Sequence, residues 1–194
     1  MNRRNQLLAL PLAVSLAMAG TAVTAQTTLP ASSPKATSAS SAHGGKLSAF
    51  DGAFLEQAAQ NGHAEIDGAK AALEKASDSR VKSFAQTLID DHTKAHTELA
   101  ALAASKGVEL PKDPSLGQKT KAKILSLRDG ESYDKHFIES VGIKAHESTI
   151  KLFKRAAAEA TDPDVKAFAT KTLPTLEGHL KQAHDLHASL DKKK

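Results

Sequence analysis

The chain has 194 residues, 25% of them charged, 40% hydrophobic and only 4% aromatic, with no Cys and no Trp. No disulfide scaffold is available to it, and its abundance of Ala, Lys, Leu and Glu points to helices that must be held by packing alone. The formal charge of +4 becomes +2 if Arg3 and Arg4 leave with a leader, and Lys119, Lys121 and Lys123 are too few and too interspersed to form a nucleic-acid face.

Residues 1–25 have the three parts of a secretory signal. Arg3 and Arg4 supply the charge, Leu7 to Ala19 an apolar run broken only by Pro11 and Ser15, and Val23-Thr24-Ala25 a cleavage site. Ala17-Met18-Ala19 is an earlier site, and an uncleaved anchor is the competing reading. The run falls short of the roughly 20 residues that span a bilayer, so no stable transmembrane segment is expected after cleavage. The expectation is an exported protein of the periplasm or cell envelope. Residues 26–47 are Thr, Ser, Ala and Pro with Gly44-Gly45, a composition that cannot bury enough surface to order itself and reads as a disordered linker. Residues 191–194 read as a basic tail.

Between these segments, residues 48–190 carry four long helical patterns. Ser48-x-x-Asp51 resembles a capping box, and Phe54, Ala58, Ile66, Ala69 and Leu73 then recur at helical spacing. Ser77-Asp78-Ser79 stops this helix and caps the next, which carries Val81, Phe84, Leu88, Leu99 and Leu102 and ends at Lys106-Gly107. Residues 107–131 are too long for a tight turn. Asp113-Pro114 predicts a short helix through Leu125, inside a crossover that begins the next hairpin at the opposite end. A third helix is predicted over 132–160. Asp162-Pro163 then starts a fourth, in which Pro174 deprives the Thr170 carbonyl of its donor and predicts a kink. Val81, Phe84 and Asp78 recur 84 positions later as Val165, Phe168 and Asp162, as do Ile66 and Ala76 as Ile150 and Ala160. One helical hairpin therefore occurs twice.

Polar residues interrupt the apolar stripes. Glu65, His92, His146 and His179 each fall on the inward face of a different helix. Glu65 lies 13 residues before Asp78 and His92 14 after it; His146 lies 16 before Asp162 and His179 17 after it. Each pair thus sits at one level, roughly 20 to 25 Å from its own turn. If the two turns lie at opposite ends, all four groups meet in the middle. Three imidazoles and a carboxylate suit a single zinc, iron or copper ion, with Asp91 and Glu147 placed to support the ligands. A metal-free network of the same residues is the alternative. His96, four after His92, sits at a stripe edge; His63 and His136 lie off the stripes, and His184 and His187 near a helix end. No phosphate loop, nucleophile elbow or metalloprotease motif occurs, and catalysis without a bound metal is not expected.

Phe54-Leu55-x-x-Ala58-Ala59, Glu65, Val81-Lys82-x-Phe84-Ala85, Asp91-His92, the Gly107–Pro111 segment, His146-Glu147 and Leu173-Pro174-x-Leu176-Glu177-x-His179-Leu180 together resemble the bacterial exported family called domain of unknown function 4142, over residues 48–188. The resemblance implies an all-α, ferritin-like four-helix bundle in the envelope, with no established activity. Di-iron bundles place Glu three before the ligand His; here those positions are Ile89 and Leu176. A carboxylate-bridged di-iron centre is therefore not expected, and a mononuclear His-rich site is. The expected roles are metal handling or stress protection in the envelope, or else a metal-free module that binds an envelope protein partner. The sequence leaves the oligomeric state open.

Overall fold

The computed structural model describes residues 47–192, and among them every regular element is helical. The leader (1–25), almost all of the linker (26–47) and the end of the basic tail lie outside the described residues. The first helix, α1 (Ala49–Lys75), starts at Ser48, whose Oγ accepts the Asp51 N–H. Only that half of the expected capping box forms, because the Asp51 carboxylate is used elsewhere. Asp78 caps α2 (Ser79–Ser105), which closes at Lys106 with Gly107 at φ 69°, a left-handed conformation natural to glycine. In the connection, α3 (Leu116–Ser126) begins at Ser115, where a full capping box with Gln118 overrides the earlier Asp113-Pro114 signal. The helix predicted over 132–160 forms in three consecutive pieces: α4 (Gly130–Phe137), a π-helical stretch (Ile138–Ala145) and α5 (His146–Glu159). Asp162 then accepts the Asp164 and Val165 N–H groups to start α6 (Pro163–Asp191), which continues through Pro174.

The strongest pairings are α1 with α2 and α5 with α6, so each half of the chain is a helical hairpin; α2 also meets α6, and α3 and α4 lie against α1. A buried aspartate ties each hairpin to the turn of the other. Asp51 accepts the Thr161 and Asp162 N–H groups at 3.2 and 3.1 Å and the Thr161 hydroxyl at 2.6 Å. Asp134 does the same for Ser77 and Asp78, at 3.0 and 2.9 Å, with the Ser77 hydroxyl at 2.6 Å. Each turn would otherwise leave its amides unpaired at the end of a packed bundle.

The two clamps are 83 residues apart, whereas the turns they hold are 84 apart. Phe54 and Phe137, and Leu55 and Ile138, also pair at 83, but Ile66 and Ile150 pair at 84. The second hairpin therefore has one extra residue between Ile138 and Ile150, and the π-helical stretch falls in that interval. An i→i+5 ring holds one more residue than an i→i+4 ring, so the insertion is absorbed without moving either end of the helix.

The core is in two parts. One contains Phe54, Leu99, Ile150, Phe153, Phe168 and Leu176, with the Phe54 and Phe153 rings edge-on at 5.0 Å. The other contains Ala69, Leu88, Tyr133, Phe137, Ile138 and Ala183. On each of the four long helical runs the residue between the two clusters is polar: Glu65, His92, His146 or His179, all buried. A layer of this kind forfeits apolar contact and costs desolvation, so its groups need partners.

Candidate metal centre

The structure brings the polar layer together. The ring centroids of His92, His146 and His179 lie 5.3 to 5.5 Å from one another, and one nitrogen from each lies within 4.8 Å of the other two. His146 Nε2 and His179 Nδ1 are only 3.3 Å apart.

What stands behind each ring decides where its proton goes. His146 Nδ1 is 2.9 Å from the Val141 carbonyl, which can only accept, so the proton sits on Nδ1 and Nε2 keeps its lone pair. His179 Nε2 is 2.9 Å from Asp91 Oδ2, which places that proton outward and leaves the Nδ1 lone pair facing inward. His92 Nδ1 lies 3.1 Å from Glu65 Oε2, within ion-pair range though without the alignment of a full hydrogen bond, and its Nε2 is buried with no hydrogen-bond partner. With its proton on the Nδ1 that faces Glu65, His92 would offer Nε2 as the third lone pair of the group. Burial holds His92 below the ordinary imidazole range, with His146 pushing the same way and Glu65 and Asp91 opposing. Burial does the same to His179, against the Asp91 hydrogen bond and with His92 and His146. Both shifts favour the neutral ring that a metal requires.

Four elements supply these groups. Glu65 comes from α1, where the small Gly68 and Ala69 follow it, and Thr149 donates to its other oxygen at 3.3 Å. Thr149 in turn accepts from the Asn61 amide at 3.2 Å. His92 comes from α2, one residue after Asp91, so that α2 supplies one ring and the carboxylate behind another. His146 opens α5 directly after the π-helical stretch, and the Val141 carbonyl that orients it belongs to that stretch. His179 comes from the middle of α6. A void of about 30 Å³ borders Glu65, His92, His96 and Thr149, room for about one water.

Of the residues expected at the site, His92, His146 and His179 face one another, whereas the Glu65 carboxylate stands behind His92 rather than among the three ring nitrogens. Asp91 supports His179. Glu147 is exposed and makes no hydrogen bond or ion pair with the three histidines. His96 packs against His63 instead, the rings tilted by 53° with centroids 4.3 Å apart. Val141 and Thr149 were not singled out from the sequence. The first acts through its backbone, and the second is visible only as the residue that the 84-residue offset aligns with Glu65.

Zinc sits about 2.0–2.1 Å from imidazole nitrogen, so two tetrahedral ligands stand roughly 3.4 Å apart. The His146–His179 pair already has that spacing. Each ring's remaining nitrogen meets a carbonyl or a carboxylate, the support that metal-ligating histidines receive. The donor set fits one ion with three imidazoles and an open fourth position.

No curated protein matches the chain. Among solved structures, the fold resembles the crystal structure of a DUF305 fragment from Deinococcus radiodurans, with a TM-score of 0.67 at 16% identity, covering 75% of this chain and 99% of that one. The model of the family described as Domain of unknown function (DUF4142) matches residues 36–186, and the chain belongs to that family.

Proposed function

We propose that this protein binds a single divalent transition-metal ion, zinc, iron or copper, through His92, His146 and His179. Its setting in this reading is a ferritin-like bundle of two hairpins, exported to the periplasm or envelope and serving metal handling or stress protection there. One observation carries the reading: His146 Nε2 and His179 Nδ1 face each other at 3.3 Å while the Val141 carbonyl and the Asp91 carboxylate engage the far nitrogen of each ring. With the ring protons on those far nitrogens, the two facing lone pairs call for a cation between them, a proton in a metal-free network or the metal ion in this reading. The carboxylates of Glu65 and Asp91 behind the rings supply two negative charges, which match a divalent ion and neutral histidines.

The test is metal analysis of untagged protein, beside His92→Ala/His179→Ala. The expected result is one equivalent of metal in the wild type and none in the variant. Wild type without stoichiometric metal after incubation with zinc, iron or copper, or a variant that retains it, would reject the proposal. The alternative, a metal-free module that binds an envelope protein partner, predicts wild type without stoichiometric metal in the same measurement.

A further inference from the structure

Among the described residues the exposed large hydrophobic side chains are Leu116, Ile124 and Leu127, at 82%, 57% and 79% of full exposure. All three belong to α3 or its C-cap. Single exposed apolar residues are ordinary; three on one short helix are not. At about 3.6 residues per turn they share an arc of roughly 80°. Lys119 and Lys123 flank that arc on one side, and Lys121 and Arg128 flank it on the other. Residues 116–128 contain no carboxylate. Lys119 meets Asp113 at 3.2 Å on the surface, and Lys121 and Lys123 make no ion pair among the described residues.

The opposite face of α3 holds it only lightly. Leu125 is its one buried residue, and Gln118 donates to Asn61 Oδ1 at 2.8 Å. Just before the helix, the Pro111 carbonyl meets His63 Nε2 at 3.1 Å. A cavity of about 590 Å³ lies between α1, α3 and the α4–α5 run, with Ala122 and Leu125 on its α3 wall; Ile124, Lys121 and Arg128 also line it, and Ile124 is still 57% exposed. An isolated helix of this length is marginal in water. Here its capping box, rather than deep packing, sets where it starts.

We propose that α3 is a membrane-surface helix that lays Leu116, Ile124 and Leu127 into the interface of an anionic phospholipid leaflet. Its four cations would then lie at the level of the lipid phosphates. An apolar stripe between two cationic edges suits that interface, because long basic side chains can bury their stems and keep their charges among the headgroups. A second copy is the poorer occupant: a two-fold contact through this face would bring two sets of like charges together. A protein partner is also disfavoured, since the stripe has no aromatic anchor of the kind that concentrates binding energy at interfaces. No described helix is long and apolar enough to cross a membrane; lying on one needs far less.

The chain has no Trp, so Ile124→Trp makes a single fluorescent reporter on the stripe. In the full chain, its emission is expected to shift to the blue on adding vesicles containing phosphatidylglycerol, to stay put with pure phosphatidylcholine, and to return at high salt. Adding Leu116→Asn and Leu127→Asn to this reporter should lower the apparent partition coefficient about 10- to 100-fold. Lys121→Glu/Lys123→Glu should abolish the preference for the anionic vesicles. Leu7–Ala19 is present in every version, so the differences among the variants report the stripe. No blue shift with anionic vesicles overturns the proposal. So does a shift that survives Leu116→Asn/Leu127→Asn, or one that appears without lipid and grows with protein concentration, the mark of self-association.

Discussion

His179 shows how much one carboxylate can decide. Its Nε2 could have been the inward atom, but Asp91 Oδ2 at 2.9 Å turns that nitrogen outward and commits Nδ1 to the centre. Asp91 is itself partly exposed, its side chain at 44%, so removing its charge should not disturb the packing. Asp91→Asn is expected to keep the fold and to weaken metal binding about 10- to 100-fold. Glu65→Gln, behind His92, is expected to do the same. Competition against a chelator of known affinity measures both; unchanged affinity in either would remove that carboxylate from the support of the site. The three histidines were legible in the sequence because each interrupts an apolar stripe at a level its partners share. Asp91 was legible as a neighbour of His92, though not that it serves the ring on another helix. Glu65 was legible as buried but not in its orientation, since stripe position fixes depth and face and leaves side-chain direction open. The acceptor for His146 was hidden, because a backbone carbonyl has no letter in the sequence.

That carbonyl lies in the π-helical stretch, five residues before His146, and meets the His146 ring at 2.9 Å; the extra residue of the stretch sets that spacing. The step from an 83- to an 84-residue offset is written in the sequence, in Phe54/Phe137 against Ile66/Ile150, yet a single fixed offset conceals it. Deleting Ile143 removes the extra residue. Each hairpin would then have the same spacing from its clamp aspartate to its turn, and α5 would keep its register with α6. The deletion variant is expected to stay helical and to unfold cooperatively, but to lose metal affinity, because the His146 ring loses its acceptor. Circular dichroism with metal titration separates the two effects; wild-type affinity would show that the stretch has no part in the site. Gly142→Ala tests the same element differently. A Cβ there would stand 2.9 Å from Ala183 Cβ and 3.2 Å from a Phe84 ring carbon, both in the buried core. Overpacking of about 1–3 kcal/mol is expected, read in urea unfolding.

Across the whole molecule, the polar layer and the Asp51 clamp make stability depend on pH in two steps. Burial keeps His92 and His179 below their ordinary value of 6.5 in the folded chain. The unfolded chain therefore takes up these protons first as pH falls. The contribution of the neutral rings is fully present above 6.5 and is lost as pH drops from there toward the folded values. Asp51 titrates lower: burial alone would raise it, but hydrogen bonds from the Thr161 and Ser48 side chains and the Asp162 and Thr161 amides bring it below its ordinary 3.8. Its contribution is present above 3.8 and disappears as pH falls through the depressed value. Metal-free protein should thus be less stable at pH 5 than at pH 8, and Asp51→Ala should lower stability at both by about 2–4 kcal/mol, for the turn amides left without an acceptor. Metal sharpens the first step, because protons and the ion compete for the same lone pairs. At a free metal concentration a hundred times Kd the ion adds about 2.7 kcal/mol at neutral pH, and that increment should vanish on acidification before the bundle itself gives way. Urea titrations at pH 8, 6.5 and 5, with metal and with chelator, measure each quantity. A metal increment that persists unchanged at pH 5 would mean that the ion is held by groups other than these imidazoles.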